Sequence, residues 1–584
     1  MQTATIDPRS GTGSGELAAA LRGNRGLVAS VALFSVAVNM LMLTGPIFML
    51  QVYDRVLTSG SVETLAALFA LVVFLFLAMG LLDLARARVM ARVGARLRLM
   101  LEPRIFAAEL GRTAASPTPR DDPQAGGLDD LDAVQRLCGA PVLLALFDLP
   151  GTPLFLAGLF VFHPWLGWLA LAGGAALVAM ALLNQALTRG PARVAQAASA
   201  AADRLGAELR AETEAVQALG MLGACFLRWR RRRAAALEAA ARAADRAGGF
   251  AVATRTLRLF LQSAVLALGA WLVLRGELGA GAMIAASILL ARALAPVETA
   301  VGQWDIVRRG VAGWRALAHL LSQVPEAGPR TALPRPEARV EVDTLSLVPP
   351  GQAAAALRMV SFTLAPGQVL GVIGASGAGK SSLARALTGL WPPASGQVLL
   401  GGVPGGQYGP AALGRLIGYL PQRAALFEGT VAENIARFDP DATDAAVVEA
   451  ARRAGAHAMI AALPDGYDTR LGPGGVQLAG GHLQRLGLAR ALYCDPVLLL
   501  LDEPDASLDA EGVAALSAAI RRARAEGRAV IVMAHRPAAI GDCDLLLVLE
   551  AGRRRAFGPR DRILRETVAN HADLQRRAAP GGAA

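Results

Sequence analysis

Lysine is almost missing from this sequence: of 58 basic residues, Lys380 is the single lysine and the other 57 are arginine. A composition that places arginine wherever either base would serve makes the one retained lysine informative. The net charge of +11 does not carry a nucleic-acid reading, because the arginines cluster beside apolar runs, where excess cytoplasmic positive charge is expected. Cysteine is scarce too. Cys138, Cys225, Cys494 and Cys543 lie far apart and have neither metal-ligand nor redox spacing, which leaves single thiols in a reducing compartment. Charged residues make up only 18% of the chain and hydrophobic ones 54%, with a mean hydropathy of +0.42. That balance excludes an ordinary soluble protein, and it is too charged for a chain made only of membrane spans. No cleavable signal peptide is evident, since the first 26 residues are polar and Gly-rich and the apolar run after them is long enough to stay in a membrane.

At 584 residues the chain predicts two domains, and its long apolar runs all fall before about residue 300. A helix needs roughly 20 apolar residues to cross the hydrocarbon with every backbone group paired. Six segments qualify, near 27–50, 63–83, 141–162, 165–184, 257–275 and 281–300. Pro150 and Pro153 interrupt the third, which predicts a kink or a re-paired turn. Short turns follow the first, third and fifth segments: around Tyr53 to Ser61, at His163–Pro164, and near Gly276 to Gly279. Long connections follow the second and fourth, and they carry Arg86, Arg88, Arg92, Arg96, Arg98 and the run Arg230 to Arg233. Arginine-rich long loops and base-poor short ones put the long loops and both termini in the cytoplasm. Their Ala, Leu, Glu and Arg favour helices that continue out of the bilayer. Asn39, Asp148, Gln262 and Glu298 sit in or beside the spans, and interhelical hydrogen bonding or an interfacial helix end accounts for each.

Beyond Pro325 the composition turns to Pro, Glu, Arg and Gly until Arg339, which reads as a linker. A strand at Val369 to Ile373 then leads into Gly374, Ala375, Ser376, Gly377, Ala378, Gly379, Lys380 and Ser381, and Ser382 to Leu390 continues as a helix. This is a G-x-x-x-x-G-K-[ST] phosphate loop in its required strand–loop–helix setting. Glycines let backbone amides converge on phosphate oxygens, and the helix N-terminus adds its dipole. Lys380 supplies a point charge to the β- and γ-phosphates of ATP, while Ser381 offers its hydroxyl to Mg²⁺. The apolar run Val497 to Leu501 suits a strand buried on both faces, ending in Asp502 and Glu503. Asp502 is placed to hold Mg²⁺, and Glu503 to polarise the attacking water as general base.

With those motifs in order, Val340 to about Leu564 resembles an ABC ATPase cassette. The resemblance implies further roles. Gln422, in Tyr419-Leu-Pro-Gln-Arg, matches the glutamine loop that contacts Mg²⁺ and water. Leu478-Ala479-Gly480-Gly481-His482 stands at the signature position that caps the γ-phosphate of the partner subunit's nucleotide. Ser507-Leu508-Asp509 matches the loop crossing the dimer interface, and His535 matches the switch histidine near the γ-phosphate. The six spans with two long helical excursions look like the membrane domain of an ABC exporter. Asp130 to Val134, Leu143 to Pro150, Glu214 to Leu222 and Gly281 to Leu290 look like the type I secretion ATPases that export proteases and lipases.

The fold so implied is an α-helical six-span transmembrane domain of ABC exporter type joined to an α/β P-loop ABC ATPase domain. The expected divisions are a cytoplasmic tail at 1–26, the membrane domain at 27–322, a linker at 323–339, the ATPase at 340–564 and a C-terminal tail at 565–584. The resemblance further implies a homodimer in the inner membrane of a Gram-negative bacterium. It would work with a periplasmic adaptor and an outer-membrane channel to export an unfolded polypeptide. The segments near Leu128 to Val134 and Ala211 to Leu222 would be coupling helices, and with 26 residues before the first span a leader-cleaving peptidase domain is not expected.

Two positions depart from the family pattern. Ala479 replaces the usual signature serine and has no hydroxyl for a γ-phosphate, and His482 replaces the glutamine. Losing one hydrogen bond to a charged group costs about 1.5–3 kcal/mol. Felt mainly in the transition state, that is roughly ten- to a hundredfold in rate. Pro349 falls where an aromatic usually stacks on adenine. Three readings follow: a protein exporter, an exporter of lipid or small molecules with the same fold, and a weakly hydrolysing regulatory subunit.

Overall fold

The structure is a computed structural model describing residues 13–115, 126–326, 328, 331–472, 475–534 and 540–567. The chain divides into two units: residues up to Pro325 form one, apart from Leu110–Asp121, and those from Glu326 onward belong to the other.

Among the described residues of the first unit, six helices are long and apolar enough to cross a membrane: Arg25–Ser59, Val62–Thr113, Pro141–Phe162, Pro164–Ala211, Leu222–Leu274 and Ala280–Gly302. Three are more than twice as long as a bilayer requires. At about 1.5 Å rise per residue, the 54-residue helix Val62–Ala115 and the 53-residue helix Leu222–Leu274 outrun a hydrocarbon layer of about 30 Å. The 48-residue helix Pro164–Ala211 does the same. In the third span the helix Pro141–Asp148 gives way to a single 3₁₀ turn at Leu149–Gly151 and resumes at Thr152–Phe162, the re-paired turn its prolines predict. That turn packs tightly on the first span: a Cβ on Gly151 would lie 2.5 Å from the Asn39 amide nitrogen. The core of this unit is built from Phe155, Leu159, Leu166, Leu177, Val265, Leu290 and their neighbours.

Three differences from the sequence reading have physical causes. The first span does not end near residue 50. A π-helical turn, Val52–Val56, carries the helix on to Ser59, and the chain reverses at Gly60, with φ +64°. Asp54 on that turn accepts a hydrogen bond from the Gly281 amide at 3.0 Å, so a carboxylate caps the N-terminus of the sixth span. Second, part of the stretch taken as an N-terminal tail is a helix, Gly13–Arg22, whose fully buried Leu17 and Ala20 share a cluster with Leu97, Leu101, Leu317 and Leu320. Arg104 ties this helix down through Glu16 at 3.1 Å. Third, Arg86 is not a solvated loop arginine. It is 5% exposed and grips Asp148 in two hydrogen bonds of 2.5 and 3.1 Å, with Asp83 and Ser35 completing its partners. Glu298 likewise pairs with Arg258 at 3.0 Å.

The second unit contains β1 (Val340–Leu347), β2 (Leu357–Leu364), β3 (Val369–Ile373), β4 (Ser395–Leu400), β5 (Val403–Pro404), β6 (Ile417–Leu420), β7 (Gly429–Thr430), β8 (Arg470–Leu471), β9 (Leu498–Asp502), β10 (Ala529–Met533), β11 (Leu545–Glu550) and β12 (Arg553–Pro559). Among the described residues one sheet has the order β12-β11-β3-β10-β9-β6, parallel except for the antiparallel edge strand β12. A four-stranded antiparallel sheet, β2-β1-β4-β5, packs in one cluster with Leu370, Val372 and Leu500 of the first. All five residues of β9 are buried, as an uninterrupted apolar strand of a doubly covered sheet should be. Helices α1 (Lys380–Leu387), α2 (Gly480–Leu492) and α3 (Ala510–Ala525) carry the features taken up next.

Candidate nucleotide-binding site

Ligands in open α/β sheets gather outside the carboxyl ends of the parallel strands, and the register here brings those ends level. Met533 of β10 pairs with Val372 of β3 on one side and with Asp502 of β9 on the other. The chain leaving β3 has no room for side chains where it turns. A Cβ on Gly374 would lie 2.4 Å from the Leu549 carbonyl oxygen. Gly379 has φ +103° and packs against Leu357 and Ala356, so only glycine fits before α1 begins. Between them Ala375, Ser376 and Gly377 form an exposed lip, while Ala378 is buried and Ser381 and Ser382 are half-buried in the first turn of α1. The Lys380 ammonium, 5% exposed, donates to the Gly374 oxygen at 2.8 Å and the Ala375 oxygen at 3.1 Å. Burial pulls it below the ordinary lysine range, and Glu503 and Asp502 offset part of that.

Asp502 ends β9 at 2% exposure. Burial pushes its carboxyl above the usual range; the Ser381 hydroxyl bonded to it opposes the shift, Glu503 adds to it, and Arg385 and Lys380 oppose it. One of its oxygens, Oδ1, is buried with no hydrogen-bond partner. Such an atom is expensive to leave alone. Hard oxygen donors, a carboxylate beside a hydroxyl, suit a magnesium ion that completes its shell with phosphates and water.

Glu503 follows with φ +50°, a conformation that a non-glycine residue adopts only when its surroundings enforce it. Its amide donates to the Met533 oxygen at 3.0 Å, and its carboxylate accepts from Gln422 Nε2 at 2.9 Å. Gln422 lies just beyond β6, at the same edge of the sheet. His535 follows β10 by two positions and lies outside the described residues.

Ala479, Gly480 and Gly481 form a second group. Ala479 is the N-cap of α2 and makes no side-chain cap bond, the bond a serine there would supply. A Cβ on Gly480 would lie 3.5 Å from that of Ser507, and one on Gly481 3.1 Å from the Ser507 oxygen, so the signature turn rests on the loop before α3. Asp509 caps α3 through Gly512 at 2.8 Å and holds the buried Arg485 of α2 at 2.8 Å. Among the described residues no hydrogen bond joins Ala479, Gly480 or Gly481 to the phosphate loop. Pro349 is buried in a turn, where its carbonyl accepts from Gln352 at 3.1 Å. One charged residue escaped the sequence reading. Arg292 lies within the sixth span, and the signal was available as a lone arginine in an apolar run.

The family described as "ABC transporter" matches residues 357–506, and "ABC transporter transmembrane region" matches residues 28–297. Those matches, with the site geometry, define the class as an ABC transporter. The chain is 42% identical to the "Type I secretion system ATP-binding protein PrsD" of Rhizobium meliloti over 94% of each chain. It is 30% identical to the "Cyclolysin secretion/processing ATP-binding protein CyaB" of Bordetella pertussis, over 93% of this chain and 77% of that one. It belongs to the type I secretion ATP-binding proteins of the ABC transporter family. A solved "bacterial Atm1-family ABC exporter with ATP bound" shares the fold, with a TM-score of 0.81 over 96% of this chain and 99% of that one at 23% identity. The chain is thus a nucleotide-binding, multi-pass membrane protein and an ATPase coupled to transport.

Proposed function

We propose that this chain drives one-step export of an unfolded polypeptide from the cytoplasm of a Gram-negative bacterium. It works as a homodimer in the inner membrane with a periplasmic adaptor and an outer-membrane channel. The cargo class rests on the likeness to PrsD, which extends over both halves of the chain. The observation that carries the ATPase cycle is the unpaired Asp502 Oδ1, buried in the neighbourhood of Ser381 and Lys380.

In this reading the amides from Gly374 to Ser382 and the Lys380 ammonium hold the phosphates of ATP. Ser381, Asp502 and Gln422 would hold Mg²⁺, which when bound would offset negative charge on the phosphates. Glu503 takes a proton from the water that attacks the γ-phosphorus, and ADP departs with the bridging oxygen. His535 stands by the γ-phosphate. Ala479, Gly480 and Gly481 of a second copy close the site through backbone amides and the α2 N-terminus. Deleting the gene should remove specific proteins from the culture medium, to be read by comparing secreted proteomes. An unchanged medium with an altered envelope lipid composition would overturn the protein-cargo reading.

A further inference from the structure

Arg292 is an ionised group set well inside a span, and the described residues give it no carboxylate partner. It sits 12 positions after Ala280 and 10 before Gly302 in the sixth span. At about 1.5 Å per residue that is roughly 15–18 Å from either end of the helix, near the middle of the bilayer. A charge at that depth is costly, and it persists where it faces a polar cavity or a partner. Arg292 lines a cavity of about 230 Å³ together with Asn39, Arg86, Asp148 and Thr299. Among the described residues it forms no ion pair, whereas Arg86 and Asp148 neutralise each other in the same wall. Asp83 is also bound to Arg86, so both carboxylates beside the cavity are engaged by that arginine and Arg292 is left without one. Asn39, 4% exposed, adds an amide to that wall.

We propose that this cavity is an anion-binding subsite on the export path, in which Arg292 receives the carboxylates of acidic residues as the polypeptide passes. The proposal rests on the protein-export reading above and names a preference within it. A planar guanidinium matches a carboxylate bidentately, and Arg292 is exposed and so accessible to one. The volume agrees with the assignment. Sites that enclose a whole ligand run to about 300–1,000 Å³, and this one is smaller, sized for a side chain. Arg86 serves as a fixed wall because its partners already saturate it.

The test uses the full-length protein in phosphatidylcholine nanodiscs and two fluorescent peptides of about 20 residues, rich in Ser and either Asp or Asn. Binding is read by anisotropy. The aspartate peptide should bind about ten- to a hundredfold more tightly, the range expected for one charge-assisted contact. Arg292→Gln should bring the two peptides to parity, and Arg292→Lys, which keeps the charge, should retain part of the difference. Melting temperatures of both variants establish that they fold. Equal binding of the two peptides to the unmodified protein, or a preference that survives Arg292→Gln, overturns the subsite while leaving protein export standing. Binding of neither peptide counts against both. Loss of the aspartate preference in phosphatidylglycerol nanodiscs, with Arg292→Gln insensitive to that lipid, would assign the cavity to a lipid headgroup and also overturn the proposal.

Discussion

Two buried acid–base groupings, one in each unit, behave in opposite ways. In the membrane unit Arg86 and Asp148 satisfy each other, with Asp83 and Ser35 taking the remaining guanidinium donors. In the ATPase unit Lys380 turns to backbone carbonyls, and Asp502 keeps a buried oxygen with no partner. The first is saturated and therefore structural. The second is left short in the way a site is when a charged ligand completes it. Charge and burial are common to both; the residual unmet valence tells function from architecture.

The sharpest way to test that contrast is at Glu503. Glu503→Gln keeps the size and a hydrogen-bonding partner for Gln422 but removes the base. ATP hydrolysis should fall about 10²–10⁴-fold, measured as phosphate release, while nucleotide binding persists. Retained hydrolysis would move the base elsewhere. At Arg86 the expectation is loss of fold rather than of chemistry. Arg86→Ala leaves Asp148 buried and unpaired, at about 3–5 kcal/mol, read as lost yield of folded protein in detergent. Replacing the pair together, Arg86→Met with Asp148→Leu, should recover most of it, and failure to do so would give the pair a role beyond architecture.

Ala479→Ser adds the hydroxyl that α2 lacks at its N-cap. Turnover should rise about ten- to a hundredfold if that hydroxyl acts in the transition state. A melting point raised by about 1 kcal/mol of cap stabilisation with no change in rate would confine the effect to the helix. The smallest effect on stability is expected at Asp502→Asn, assayed without nucleotide or metal. Removing a buried charge with an unmet oxygen should stabilise the unit by roughly 1–3 kcal/mol while abolishing hydrolysis. Because burial raises the Asp502 carboxyl, its ionisation opposes folding above that pKa. The stability gain should therefore be full at neutral pH and shrink as acid protonates the wild-type group.

What the sequence disclosed was whatever a short stretch determines. The phosphate loop, β9 with its acidic end and the spans are local patterns, because strand, turn and helix each leave a fixed spacing. Long-range partners left no such trace. Arg86 read as one of several arginines after a span, since its partner Asp148 stands 62 positions away. The helix Gly13–Arg22 was hidden because two apolar contacts, Leu17 and Ala20, count for little until Leu317 and Leu320 cover them. Arg292 was legible and overlooked, being set within the same apolar pattern that identified the span. The empty N-cap at Ala479 was half legible: the missing hydroxyl showed in the sequence, but its place at the head of α2 required the fold.

The 2.9 Å bond from Gln422 to Glu503 bears on waste. It occupies an oxygen of the carboxylate that a water would have to reach. The same glutamine cannot hold the base in this way and reach fully toward a metal at Asp502. On the function proposed above, futile turnover would be restrained until the glutamine lets go of the base. The glutamine is then both tether and metal ligand, so Gln422→Ala should uncouple hydrolysis from transport, read as phosphate released per polypeptide exported.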